Sequence, residues 1–244
     1  MPYDPSSPES RSPALEAFLL GRVGYLDCLE LQQRLLRQVA DRDDGQIVLL
    51  LCEHPEVITI GRGGSPSQIA RQSGVLRSRE IEVHWTNRGG GCMLHAPGQL
   101  AIYPIVPLRW HDFSVGEYLD RLQAAVAETL GELGVRIQAT PGRYGVWGRT
   151  GQLAALGVAV RDWVTWHGAF VNVAPPLGLF RLVESDPIGQ TAMSSLVAER
   201  RGPVRMPTVR AAMVSRLAAA LGCDRYHLYT GHPWLASQHK VRTA

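Results

Sequence analysis

The sequence predicts an α/β (α+β) fold: one domain built on a mixed, mostly antiparallel sheet with helices flanking it. Three observations carry this. Short apolar runs of strand length cluster in the middle of the 244-residue chain. Segments with helical spacing lie before, between and after them. No internal repeat and no Pro/Gly/Ser-rich linker divides the chain, whose length suffices for a buried core. The composition, 45% apolar and 19% charged, is that of an ordinary globular protein.

The elements follow in order. Residues 26–40 place Leu31, Leu35 and Val39 on one face, so a helix is expected. Residues 47–52 form an unbroken apolar run, the pattern of a strand buried on both faces. Short strands are expected at 57–60 and 81–85, with a Gly/Ser-rich loop over 61–72 between them. Residues 100–106 read as a strand ending at Pro107. Ser114 and Glu117 make a capping box for a helix running to about residue 133, striped by Leu119, Leu122, Val126 and Leu130. A strand is expected at 135–137, and 142–151 is rich in turn formers. Residues 153–160 and 165–173 read as paired strands joined through 161–163. A last helix over 208–221 aligns Val209, Met213 and Leu217 and closes at Gly222. The organisation expected is a disordered tail at 1–13, a domain over 14–222 and a C-terminal extension over 223–244.

Several classes are disfavoured. A net charge of +3 with scattered arginines gives no nucleic-acid patch. No apolar run approaches the roughly 18 residues of a membrane span. The Pro- and Ser-rich start has no hydrophobic core of a signal peptide. Cys28, Cys52, Cys92 and Cys223 show no CxxC spacing, so reduced thiols and a cytoplasmic location are expected. His227, His232 and His239 read as surface histidines, their spacing being unlike that of a metal site. No metal or cofactor is expected, and neither a GxxxxGK[ST] phosphate loop nor a GxSxG nucleophile elbow is present.

Two segments remain for chemistry. The first is Arg88, Gly89, Gly90, Gly91, Cys92, Met93, Leu94 and His95, continuing to Gln99. Its glycines let a backbone approach a ligand, Arg88 can hold an anion, and His95 can orient or move a proton. The second is Ala155, Leu156 and Gly157 followed by His167, Gly168, Ala169 and Phe170. Taken alone, each is equally well a glycine-bearing bend between strands.

In order along the chain, these segments resemble the octanoyl-[acyl-carrier-protein]:protein octanoyltransferases of lipoate biosynthesis. The resemblance spans about residues 49–196. It includes Glu53-His54-Pro55, Thr59 to Arg62, the Arg88 to Gln99 loop, Tyr103-Pro104-Ile105, Gly145-Val146-Trp147, Ala155 to Gly157 and His167-Gly168 through Asn172. It implies the fold of the lipoate and biotin protein ligases and a narrow channel for an eight-carbon acyl chain. Arg88 to His95, Ala155 to Gly157 and His167 to Phe170 would line that channel. The resemblance also implies a cysteine that takes octanoyl from acyl carrier protein and passes it to a lysine of a lipoyl domain. A nearby enzyme lysine favours the thiolate. A monomer is expected.

The chain departs at both catalytic positions. The family lysine falls five residues before Gly157, on Gln152. Counting from His167-Gly168, and back from Ser195-Leu196, puts the family cysteine on Asp186. A carboxylate is a poor acyl carrier, Gln152 has no charge, and the chain's single lysine is Lys240. Three readings stand: a transferase with rearranged chemistry, Cys92 being the substitute nucleophile; a silent relative (a pseudoenzyme) that binds acyl chains or lipoyl domains; or an acyl hydrolase using Asp186 with His95 or His167.

Overall fold

The computed structural model describes residues 14–42, 44–69, 74–138, 142–184 and 192–242, with side chains to residue 238. In chain order the elements are β1 (Ala14–Arg22), α1 (Tyr25–Asp41), β2 (Ile47–Glu53), β3 (Val57–Ile60), α2 (Gly74–Ser78), β4 (Glu82–Trp85) and β5 (Cys92–His95). They continue with β6 (Gln99–Ile105), α3 (Val115–Glu132), β7 (Gly145–Trp147), β8 (Gln152–Arg161) and β9 (Val164–Asn172). The chain closes with α4 (Leu196–Arg200), α5 (Met206–Ala220), β10 (Arg225–Thr230) and α6 (Pro233–Arg242).

Seven strands form the main sheet in the order β10-β1-β2-β6-β9-β8-β7. The pairs β1/β10 and β1/β2 are parallel and the others antiparallel. Strand β2 explains its own sequence. Ile47, Leu49 and Leu51 point into a core closed by α3 and α5, while Val48, Leu50 and Cys52 point into a core closed by α1. Both faces are covered, so every position is apolar. Helix α3 starts at the foreseen capping box: Ser114 N donates to Glu117 Oε2 at 2.8 Å, and Glu117 N donates to Ser114 Oγ at 3.2 Å.

A second, three-stranded sheet, β4-β3-β5, carries a smaller core of Ile58, Ile60, Leu94, Phe180 and their neighbours. Its strand β5 occupies positions read from sequence as part of a glycine-rich bend. The glycines end at Gly91, and Cys92 to His95 then pair antiparallel with β3, Ile60 opposite Cys92 and Val57 opposite His95.

Three further points differ from expectation. Residues 135–137 form no strand: Val135 is buried in the main core and only Gln138 bridges to Trp147. Strands β1 and β7 lie in stretches with no strand expectation, and β7 has only three residues. Residues 225–230, placed by sequence in an extension, pair as β10 with β1, so the chain beyond 222 adds an edge to the main sheet. The expected tail, residues 1–13, lies outside the described residues. No helix among the described residues is long and apolar enough to cross a membrane.

Candidate functional site

Arg88 leads into the glycine loop and is almost wholly buried, at 1% exposure. Its guanidinium donates to Thr59 Oγ1 (2.7 Å from Nη2, 3.3 Å from Nε), to the Thr59 carbonyl at 3.0 Å and to the Gly89 carbonyl at 2.9 Å. Every one of these acceptors is neutral. Burial pulls the group below its usual pKa, but a guanidinium stays charged at neutral pH. A desolvated cation without an anionic partner projects a positive field into adjoining space.

Thr59 passes the order on. Its hydroxyl accepts from Arg88 and donates to His95 Nε2 at 2.9 Å. His95 Nδ1 then donates to Gln99 Oε1 at 2.9 Å, and Gln99 Nε2 donates to Asn172 Oδ1 at 2.9 Å. Both nitrogens of His95 are therefore committed inside the protein. Burial, with His54 and Arg88 nearby, holds its pKa well below the usual value, so the ring is neutral. The proton-moving role expected for His95 gives way to a wiring role: it fixes β5 against β3, β6 and β9.

The loop itself lies over β8. Gly89 N donates to the Val158 carbonyl at 2.9 Å. A Cβ at Gly157 would come 2.6 Å from the Gly89 carbonyl oxygen, and one at Gly168 would overlap the Ile102 carbonyl oxygen. These glycines admit neighbouring backbone. The space beside them is filled by that backbone rather than left open.

Beside this crossing is a cavity of about 540 Å³, inside the roughly 300–1,000 Å³ range of small-molecule sites. Arg88, Gly89, Gly90, Gly91, Cys92 and Met93 form one wall, and Ala155, Leu156 and Gly157 with Val158 to Val160 form another. Gln152, Trp147, Tyr144, Arg143, Arg62 and the start of α3, Val115 and Leu119, complete it. Among the described residues the lining holds three arginines and no carboxylate. Arg143, Tyr144 and Val115 are not singled out in the sequence, because loop and helix-start positions show no periodicity that marks a cavity wall; Leu119 reads there only as part of the helix stripe and Arg62 only as part of the resemblance.

Leu94, His95, His167, Gly168, Ala169 and Phe170 are not among the lining residues. Leu94 belongs to the small core, and Phe170 packs on His95 with ring centroids 4.4 Å apart. His167 is buried in β9 with φ +57°, a left-handed value uncommon for a non-glycine residue. Its backbone N donates to Gln32 Oε1 at 2.9 Å, its ring stacks on Trp166, and its Nδ1 has no partner among the described residues. Burial first, then Arg88 and Arg62, lowers its pKa to about 3.

The two positions that the resemblance assigns to the family lysine and cysteine fall differently. Gln152 sits at the cavity edge, 7% exposed, its Nε2 donating to the Ala154 carbonyl at 3.1 Å. Its backbone pairs with Ala192 and Ser194, which follow the 185–191 segment. Asp186 lies outside the described residues. Cys92 reaches the cavity wall, but its thiol donates to the Ser65 carbonyl at 3.2 Å. Burial raises its pKa, outweighing the Ser65 contact and Arg88. It is therefore a protonated thiol at neutral pH.

A mixed sheet with helices on both faces, and an arginine-bearing cavity beside a glycine loop, define a class of α/β proteins with a small-molecule-sized site at the sheet. Residues 24–218 match the lipoyl protein ligase A/B catalytic domain. The chain belongs to that family. It is 40% identical over 166 residues to an octanoyltransferase of Solibacter usitatus, covering 67% of this chain and 74% of the relative. It is 35% identical over 214 residues to an octanoyltransferase of Geobacter metallireducens, covering 88% and 97%. Among solved structures, it resembles a bipartite lipoate protein ligase from Thermoplasma acidophilum, studied with its E2 lipoyl domain. The TM-score there is 0.73 at 16% identity, covering 94% of this chain and 91% of that one. A lipoate-protein ligase A bound with ATP gives a TM-score of 0.70 at 15% identity, covering 94% and 93%.

Proposed function

We propose that this protein binds an octanoyl or lipoyl group in the Arg88–Gly157 cavity and does not carry out the family's thioester relay unaided. Its partners on this reading are lipoyl domains and acyl carrier protein, met as a carrier or regulator of lipoate metabolism in the cytoplasm. The single observation that carries the reading is the cavity: apolar walls from β8 and α3 with three arginines and, among the described residues, a cysteine whose thiol burial keeps protonated. Leu156, Val158 and Leu119 suit the hydrocarbon, at about 0.8 kcal/mol for each buried CH₂. The arginine end suits a carboxylate or a polarised carbonyl.

The resemblance assigns the relay to a cysteine and a lysine, whose places here are Asp186 and Gln152. A neutral amide cannot favour a thiolate by charge, and the Cys92 thiol is protonated. The name shared by its relatives describes the binding fold this chain keeps better than the chemistry its residues supply. Calorimetric titration with octanoate and with lipoate tests the reading. Binding of either, weakened at least tenfold by Leu156→Arg, is expected. No heat and no thermal shift at millimolar ligand would overturn it.

A further inference from the structure

Beneath α1, on the face of the sheet away from α3 and α5, three metal-ligating side chains converge. Cys28 comes from α1, Cys52 from β2, and His54 from the turn that follows β2. Cys28 Sγ and Cys52 Sγ are 3.9 Å apart, and Cys52 Sγ is 3.6 Å from His54 Nε2. All three ligand atoms lie within 4.8 Å of one another, and all three residues are buried. We propose that Cys28, Cys52 and His54 form a site for a thiophilic divalent cation, with zinc as the test ion.

The geometry suits such an ion. Zinc bonds sulfur at about 2.3 Å and imidazole nitrogen at about 2.0–2.1 Å in a tetrahedron. Those lengths imply S···S and S···N edges of about 3.8 and 3.6 Å, close to the two distances observed. The imidazole is also set in the required tautomer. His54 Nδ1 lies 2.8 Å from the Val23 carbonyl, which can only accept, so Nδ1 carries the hydrogen and Nε2 presents its lone pair. A ligating histidine held by a backbone carbonyl through its other nitrogen is the usual outer-shell arrangement. Tyr103 Oη, 2.7 Å from Nε2, donates a hydrogen bond to that same lone pair, which an incoming ion displaces.

Charge balance fits the surroundings. Binding forms two metal–sulfur bonds and one metal–nitrogen bond, and the two thiol protons leave to solvent. A divalent cation with two thiolates and a neutral imidazole has no net charge, so the apolar core that includes Leu31, Leu50 and Phe170 can enclose it. None of these residues lines the acyl cavity. The ion would tie α1 to β2, and its full enclosure means it enters as the chain folds.

The test is metal content and ligand identity in the full-length protein. Reduced protein expressed with zinc should retain about one zinc per chain. Refolding in cobalt should give a thiolate-to-cobalt charge-transfer band. Cys28→Ser and Cys52→Ser should each abolish both signals, while Cys223→Ser keeps them. Because the serine variants can misfold, X-ray absorption at the zinc edge of the unmodified protein provides an independent reading, with two sulfur scatterers at about 2.3 Å expected. Absence of retained zinc together with a featureless cobalt spectrum, a sulfur-free shell, or a Cys28–Cys52 disulfide in place of the metal would each overturn the proposal.

Discussion

Gly157 and Gly168 face each other across β8 and β9, and a foreign backbone presses on each: Gly89 on the first, Ile102 on the second. Gly168→Ala must push β9 away from β6, where Ile102 pairs with Ala169. We expect it to cost about 1–3 kcal/mol or more, as overpacking does, read as a lower urea midpoint. Gly157→Ala should displace the glycine loop and weaken octanoate binding more than it lowers stability, since the Gly89 loop lies at the surface of the cavity. At Gln152 and Asp186 the expectation is chemical. Asp186→Cys alone should restore little octanoyl transfer to a lipoyl domain, because a thiol without a cationic neighbour stays protonated. Asp186→Cys with Gln152→Lys should restore much more than the two singles together. Equal recovery from the single cysteine variant would show that Gln152 is not the missing half of a dyad. The residue scale was partly legible in sequence. Arg88 and Gly157 stood out by type and spacing, whereas Thr59 and Gln99, which complete the Arg88–His95 wiring, carry no local pattern that marks a buried hydrogen-bond chain.

At the scale of elements, α3 shows how local sequence reaches the site. Its capping box fixes the first turn, and that turn and the next bring Val115 and Leu119 to the cavity wall. Ser114→Ala should therefore lower stability by about 1 kcal/mol and also weaken octanoate binding, a pairing that titration calorimetry and urea melts on one variant can check. Unchanged affinity would separate the helix start from the site. The helices α1, α3 and α5 were legible because one face is apolar at a fixed spacing, and β2 because its apolar run is unbroken. Strands β5, β7 and β10 were not. The glycine triplet masks β5, β7 is three residues long, and β10 is exposed at all six positions, so no buried face shows in its sequence.

At the scale of the molecule, burial of histidines sets a pH dependence. In the unfolded chain these imidazoles titrate near 6.5, whereas burial lowers His167 to about 3, with His95 also well below its usual value. Between those limits the unfolded chain binds more protons than the folded one. Stability is therefore fully present above pH 6.5 and falls as the pH drops, by about 1.4 kcal/mol per pH unit for each histidine. The loss levels off below the folded-state values. Urea midpoints at pH 7 and pH 5 should show the decline with little change in slope. A midpoint unchanged between them would mean that these rings are not buried neutral.

The molecule has its family's fold, and on the proposed reading it departs at the two positions on which the relay depends, so occupancy and chemistry separate. Intact-mass measurement after incubation with octanoyl-acyl carrier protein distinguishes them most directly. The account predicts that a preparation shown to bind octanoate keeps its unmodified mass. Stoichiometric acylation of any residue, whether Cys92 or Asp186, would contradict it.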